Sequence, residues 1–504
     1  MRSPLPFPPA RLTQAADDFL AGRISRRRFL QHCSHAGISL PLLSLAGCSA
    51  PTDESESADI TSEQSASQQS SDQHHFLKEV GSGFKQTKLR IVTEDTPPSV
   101  ATKRLAEKEF TPLTGIEIEW DLLPLDQVLA RLVADTSRAS GVHDLFYLDQ
   151  AWVGRFLPHT LNHFKLLSNK ELAYPDYNFA DILPPLIENV GSYQGQLVGI
   201  PYDIPIFIMM YRRDLFDQLK LPLPTTLAQY KQTLALIQHA RLPGLFPTTM
   251  QWKSGHYSLE CNMTTWLWAH GGSIFRSDGR CALDDEQAYA GLAYMMELAH
   301  FAPPEVTTWD WFGEAQSFAD GRAAMYISWG EFFSSFDDDK HSKIAGLAEA
   351  APCPQELALR PASACGFGET PGISHQGGSC LSISRYSRSP QAAWVFLQWA
   401  TSSDITTRSN LTGGSASPIR FSNYSDPRTL ARQRIGPGTT RHFPIVQDAI
   451  LNRMGTEPHL PGWAELATQI FAVELGKMTT GQQDIETTMK NMCQAANRAV
   501  DDGE

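Results

Sequence analysis

The alternation of short runs between Leu89 and Asp149 constrains the fold more than any other feature of the chain. LRIVTE (Leu89 to Glu94) is β-rich, and after a polar turn at Pro97 and Pro98 comes the helical pattern VATKRLAEKEFTPLTG, which stops near Gly115. IEIEWDLL (Ile116 to Leu123) alternates apolar and charged residues with the period of two expected of a half-buried strand. DQVLARLVADTSRAS then reads as a second amphipathic helix, and DLFYLD (Asp144 to Asp149) as a third strand. Strand, helix, strand, helix, strand predicts parallel pairing with right-handed crossovers, an α/β domain that binds ligands just past strand carboxyl ends.

Upstream, SRRRFLQHCSHAGISLPLLSLAGCSA (Ser25 to Ala50) is too short a candidate for a membrane span. Its apolar run, Ala36 to Ala46, contains Pro41, whereas a spanning helix needs about 20 apolar residues. It reads instead as a signal-peptide core behind a charged region. Arg26 and Arg27 lie in a run that resembles the twin-arginine export signature, and Leu45-Ala46-Gly47-Cys48 resembles a lipobox, whose cysteine is acylated. The alternative is a short helix with a basic end. Residues 1–47 are thus expected to be a signal peptide. Residues 48–85, rich in Ser, Gln, Asp and Glu, are expected to form a disordered tether. The chain would then be a membrane-anchored lipoprotein on the periplasmic or cell-surface side.

Six further cysteines remain after Cys33 and Cys48: Cys261, Cys281, Cys353, Cys365, Cys380 and Cys493. None has zinc-type spacing, so no metal is expected. In an exported chain disulfides are permitted, with Cys353/Cys365 and Cys261/Cys281 the first expected pairs. A net charge of −13 without a long basic stripe disfavours nucleic acid as a partner. There is no GxSxG elbow, GxxxxGK[ST] loop, HExxH or strand-linked GxGxxG, which counts against the enzymes those motifs mark.

GQLVGIPYDIPIFIMMYRRDLFDQLKLPLPTTLAQY resembles the most recognisable block of the family 1 extracellular solute-binding proteins, the maltose-binding-protein-like receptors of ABC importers. The matching pieces are Gly199-Ile200-Pro201-Tyr202-Asp203, Tyr211-Arg212-Arg213-Asp214-Leu215-Phe216 and Pro224-Thr225-Thr226-Leu227. Arg212 and Arg213 replace the usual Asn-Lys, and Leu227 a common Trp. FADGRAAMYISWGEFFSSF (Phe318 to Phe336) and GGSCLSISRYSRSPQAAWVFLQWATS (Gly377 to Ser402) are similar to two later family blocks. In the second, Cys380 stands where a small residue is usual, leaving room for a disulfide or a close backbone contact. The resemblance implies an α/β, two-lobe periplasmic-binding-protein-like (type II) fold with a ligand cleft between the lobes. Crossings are expected at Tyr202 to Phe207 and near Gly378 to Ile383. Lobe one would be 86–204 plus 384–440, and lobe two 205–380 plus 441–504. It further implies a cofactor-free monomer that delivers a sugar or polyol to ABC transporter permease subunits.

A carbohydrate cleft needs carboxylates and amides for hydroxyls, and aromatic rings for C–H faces. Candidates are Glu94 and Asp95 after the first strand, Tyr147 and Asp149 after the third, and Tyr202 and Asp203 at the crossing. Lobe two offers Trp252, Trp329, Glu331 and Gly378. Trp266 and Trp268 read as helix core, and Asp337 to Asp339 as a solvated face. Arg420, in LTGGSASPIR, would bind an anionic group if it faced the cleft, and a structural ion pair is its alternative. Scattered carboxylates beside Trp would also suit a glycoside hydrolase. A carbohydrate-binding lipoprotein not coupled to transport and an adhesion protein are the remaining readings. Replacing Arg26 and Arg27 together by lysine should block export, and Cys48→Ala should abolish palmitate labelling; fractionation after metabolic labelling checks both.

Overall fold

The computed structural model describes residues 71–355, 359–413 and 417–502. Arg26, Arg27 and Cys48 lie outside the described residues. The expected alternation builds the first sheet. Strands β1 (Lys88–Glu94), β2 (Glu117–Leu123) and β3 (Leu145–Asp149) pair in parallel, with β1 in the middle. The connecting helices behave as their sequences require. Thr96 caps the helix Pro97–Leu105, whose prolines occupy positions that need no N–H partner. Gly115, at φ 70°, ends the helical run in a left-handed conformation that glycine adopts without strain.

After a hairpin of β4 (Ser192–Tyr193) and β5 (Gln196–Leu197), β6 (Ile200–Asp203) joins the other edge of this sheet. The chain then leaves it. Strand β7 (Phe207–Arg212) is the centre of a second, antiparallel sheet, flanked by β8 (Met325–Trp329) and β9 (Ala348–Ala351). Helices Leu227–His239, Tyr257–Ala269, Glu286–Leu298 and Ile485–Asp501 surround this second lobe. Trp266 and Trp268 are buried on one of them, as helix core.

The return passes through β10 (Ser374–His375), which pairs with β12 (Met454–Gly455), into β11 (Ser379–Ile383). Strand β11 runs antiparallel between β3 and β6. Re-entry into lobe one is therefore complete by Ser379, inside the crossing expected near Gly378 to Ile383 and ahead of the lobe boundary at 384. Outgoing and returning segments lie side by side: Ile206 bridges Gln376, and Gly377 N–H donates to Pro205 O at 2.9 Å.

Two further expectations are corrected. Residues 71–82, inside the stretch expected to be a disordered tether, are helical. Leu77 is buried there, Phe76 meets Tyr174 edge-on at 5.8 Å, and Gln73 donates to Pro175 O. The disulfide joins Cys281 to Cys493, with Cα atoms 5.4 Å apart, while Cys261, Cys353, Cys365 and Cys380 are free thiols. Proximity in sequence misled because the C-terminal helix folds back beside Cys281. Cys380 makes the close contact instead: a Cβ on Gly199 would lie 2.5 Å from its Sγ. Because the bridge closes a span of 212 residues, Cys493→Ala should lower the unfolding free energy by about 2–4 kcal/mol in urea titration. The same loss should follow reduction of the parent protein.

Candidate functional site

The strands of both lobes end at one place. β1 ends in Glu94, β3 in Asp149, β6 in Asp203 and β8 in Trp329, with Glu331 one turn further on. A cleft of about 180 Å³ opens there. Its polar lining is Glu94, Asp95, Thr96, Asp149, Asp203 and Glu331; its apolar lining includes Tyr147, Tyr257, Trp311, Phe312, Trp329 and Phe332. The fold thus brings together Glu94, Asp95, Tyr147, Asp149, Asp203, Trp329 and Glu331 from the sequence candidates.

Three of these carboxylates are held by their neighbours. Thr96 Oγ1 donates to Asp203 Oδ2 at 2.8 Å, and Tyr147 OH donates to Glu94 Oε2 at 3.2 Å. Ala151 N–H donates to Asp149 Oδ1 at 2.9 Å. Burial dominates their protonation. It pushes Glu94 up to about 7, with the nearby Asp203 adding to the rise, and Asp203 up to about 6 against the hydrogen bond from Thr96. Asp149 and Glu331 are raised well above the carboxylate range by burial; for Glu331 the charges of Asp203 and Glu94 add to it.

Trp329 forms a wall of the cleft and is also part of its frame. Its Nε1 donates to Gln251 Oε1 at 3.0 Å, and its ring meets Phe207 edge-on at 4.4 Å. A Cβ on Gly377 would lie 2.8 Å from the ring, so the returning segment needs glycine to pass. Opposite stand Trp311 and Phe312, at the start of the helix Trp311–Ala319, which Asp310 caps through the N–H groups of Phe312 and Gly313. Phe312 is 66% exposed, the largest such value among exposed apolar side chains.

Four candidates stand elsewhere. Trp252 is buried behind the wall with its Nε1 on Asn262. Tyr202 turns its hydroxyl to Pro98 O, and Gly378 packs under the Gln376 side chain. Arg420 is fully buried in lobe one, donating to the carbonyls of Thr401, Tyr177 and Asn178 and lying 3.7 Å from Asp181. Its Nε and Nη1 tie together the segments around Thr401 and around Tyr177 to Asp181, so a structural role describes it. Trp311, Phe312, Phe332 and Tyr257 escaped sequence reasoning; the cluster Trp309-Asp310-Trp311-Phe312 was the available signal.

Behind the cleft, Tyr257 OH and Trp463 Nε1 both donate to Glu457 Oε2. Cys261, His375 and Glu457 bring a thiol, an imidazole and a carboxylate within 4.8 Å of one another, donor types that zinc accepts. His375 Nδ1 is held by Thr264 Oγ1 at 2.9 Å, and its Nε2 lies 3.5 Å from Glu457 Oε1.

Residues 106–424 match the family described as bacterial extracellular solute-binding protein. A protein of Sinorhizobium fredii, named for an amino-acid ABC transporter, is 22% identical over 68% of this chain and 76% of its own length. An erythritol/L-threitol-binding protein of Mycolicibacterium smegmatis is 24% identical over 80% of this chain and 82% of its own. A solute-binding protein of Agrobacterium radiobacter, solved with ribitol, superposes with a TM-score of 0.70 at 21% identity, covering 82% of this chain and 99% of that one.

The raised carboxyls make a prediction about stability. A carboxyl whose folded pKa lies above its unfolded value stabilises the fold at low pH and loses that contribution as pH rises to the folded pKa. Glu94→Gln should therefore unfold at the same urea concentration as the parent near pH 4. Its midpoint should rise progressively above the parent's up to about pH 7 and stay above it beyond.

Proposed function

The chain belongs to the bacterial extracellular solute-binding proteins, and from that membership we propose that it is the receptor of an ABC importer, capturing a sugar or polyol by closure of its two lobes. The observation that carries this reading is the convergence of Glu94, Asp149, Asp203 and Glu331 with Trp311, Phe312 and Trp329 on one cleft beside the crossing segments. Carboxylates accept pairs of hydroxyl hydrogens, and rings pack against C–H faces. Two segments crossing side by side between separate sheets are the kind of connection about which lobes close. The relative named for erythritol or threitol and the ribitol-bound structure favour an open-chain polyol within that class.

The finer parts of the proposal rest on sequence. Arg26 and Arg27 would direct twin-arginine export, acylated Cys48 would anchor the protein to a membrane, and the receptor would act as a monomer beside its permease. Binding without turnover separates this reading from a glycoside hydrolase.

Calorimetric titration with erythritol, ribitol, D-mannitol and maltose, with small-angle scattering of the same samples, tests the proposal. At least one ligand should bind one-to-one, reduce the radius of gyration and emerge unchanged. Phe312→Ala should weaken that binding by roughly 10- to 100-fold, about 1.4–2.8 kcal/mol, with the urea midpoint unchanged because this ring is already in water. A well-folded protein that binds none of the four, or that cleaves maltose, would overturn the reading.

A further inference from the structure

The cleft has an unbalanced chemistry. Its lining includes Glu94, Asp149, Asp203 and Glu331, with Asp95 at the mouth, and no lysine, arginine or histidine. The cationic side chains nearest by contact are engaged elsewhere: Lys253 pairs with Asp310 at 3.0 Å, and His256 packs its ring edge-on against Trp311 at 4.6 Å.

Donors are as scarce as cations. The hydroxyls of Thr96, Tyr147 and Tyr257 donate to Asp203, Glu94 and Glu457, and Trp329 Nε1 donates to Gln251. What faces the ligand is mainly carboxyl oxygen whose ionisation burial opposes, and a cation among these groups shifts them to the ionised, acceptor-only form. Among the described residues Glu331 receives no hydrogen bond, and the charges of Asp203 and Glu94 work against its ionisation. A neutral sugar leaves the buried carboxyls without the charge that would ionise them, and a sugar acid or phosphate finds no fixed positive charge in the lining. An ammonium group brings three donors, no acceptor and the missing charge. The rings of Trp311, Phe312 and Phe332 at the open side offer faces that attract a cation.

Resting on the reading of this cleft as the ligand site, we propose that the natural ligand is a polyhydroxylated molecule carrying a protonated amine, an amino sugar or amino polyol, with Glu331, Glu94 and Asp203 as its counter-charge. The hydroxyls would share the remaining carboxylate oxygens, and the carbon skeleton would lie against Trp329.

Matched pairs test this on the whole folded protein: D-glucosamine against D-glucose and glucamine against D-glucitol, with N-acetyl-D-glucosamine as the uncharged nitrogen control. At pH 7 at least one amine should bind ten-fold or more tighter than its alcohol. That advantage should shrink as salt rises from roughly 20 to 500 mM, by screening, and vanish on acetylation. Glu331→Gln should cost the amine a larger factor in affinity than the alcohol, with circular dichroism and the urea midpoint establishing that the variant is folded. If alcohols bind and neither amine exceeds its partner, the charge proposal falls while the sugar or polyol reading stands. If no member of either pair binds, the charge proposal falls, and the titration with erythritol, ribitol, D-mannitol and maltose decides the sugar or polyol reading.

Discussion

The structure depends on a few main-chain hydrogen bonds where the outgoing and returning segments lie side by side. Gly377 N–H to Pro205 O and the Ile206–Gln376 bridge hold together the segments that link two sheets sharing no strand, and Gly330 N–H to Ile206 O ties the outgoing segment to the second sheet. Gln150 reinforces the junction from lobe one: its main-chain N–H donates to Gly378 O, and its side-chain amide exchanges hydrogen bonds with Gln376. Because Asp149, Asp203 and Gly377 are the immediate sequence neighbours of these groups or lie within three residues of them, cleft and junction cannot be positioned independently. A rotation at the junction would change the separation of Trp329 and Glu331 from Glu94 and Asp149.

The cleft is held at a cost. Burying several carboxylates together disfavours their ionisation, and Glu94, Asp149 and Asp203 are each oriented by a single donor. Such an arrangement is unfavourable until something supplies the missing partners, so ligand binding relieves a penalty built into the empty protein. Function and stability pull on the same residues in opposite directions. Arg420 is the contrast: a buried charge met by three carbonyls and Asp181, which supports lobe one and contributes nothing to the cleft.

What the sequence revealed followed from local periodicity. Strands β1, β2 and β3 and their helices were legible because each alternation is completed within a few residues. Glu94, Asp149, Asp203 and Glu331 were legible because they sit at or just past strand ends, where open α/β sheets bind ligands. Trp311 and Phe312 follow no strand, and only the packing of lobe two turns the start of their helix toward the cleft. Trp252 and Arg420 looked alike in kind to residues that do face it, and long-range burial alone separates them. The Cys281–Cys493 bridge and the Cys261–His375–Glu457 cluster join positions far apart in sequence, where no local pattern carries the pairing.

The helix over 71–82 packs on lobe one, through Leu77, Phe76 against Tyr174, and Gly81 close to the main chain of Thr114. Whatever precedes it in the chain is therefore mechanically joined to lobe one. A pull on the N-terminal side of this helix would be carried by lobe one and not directly by lobe two.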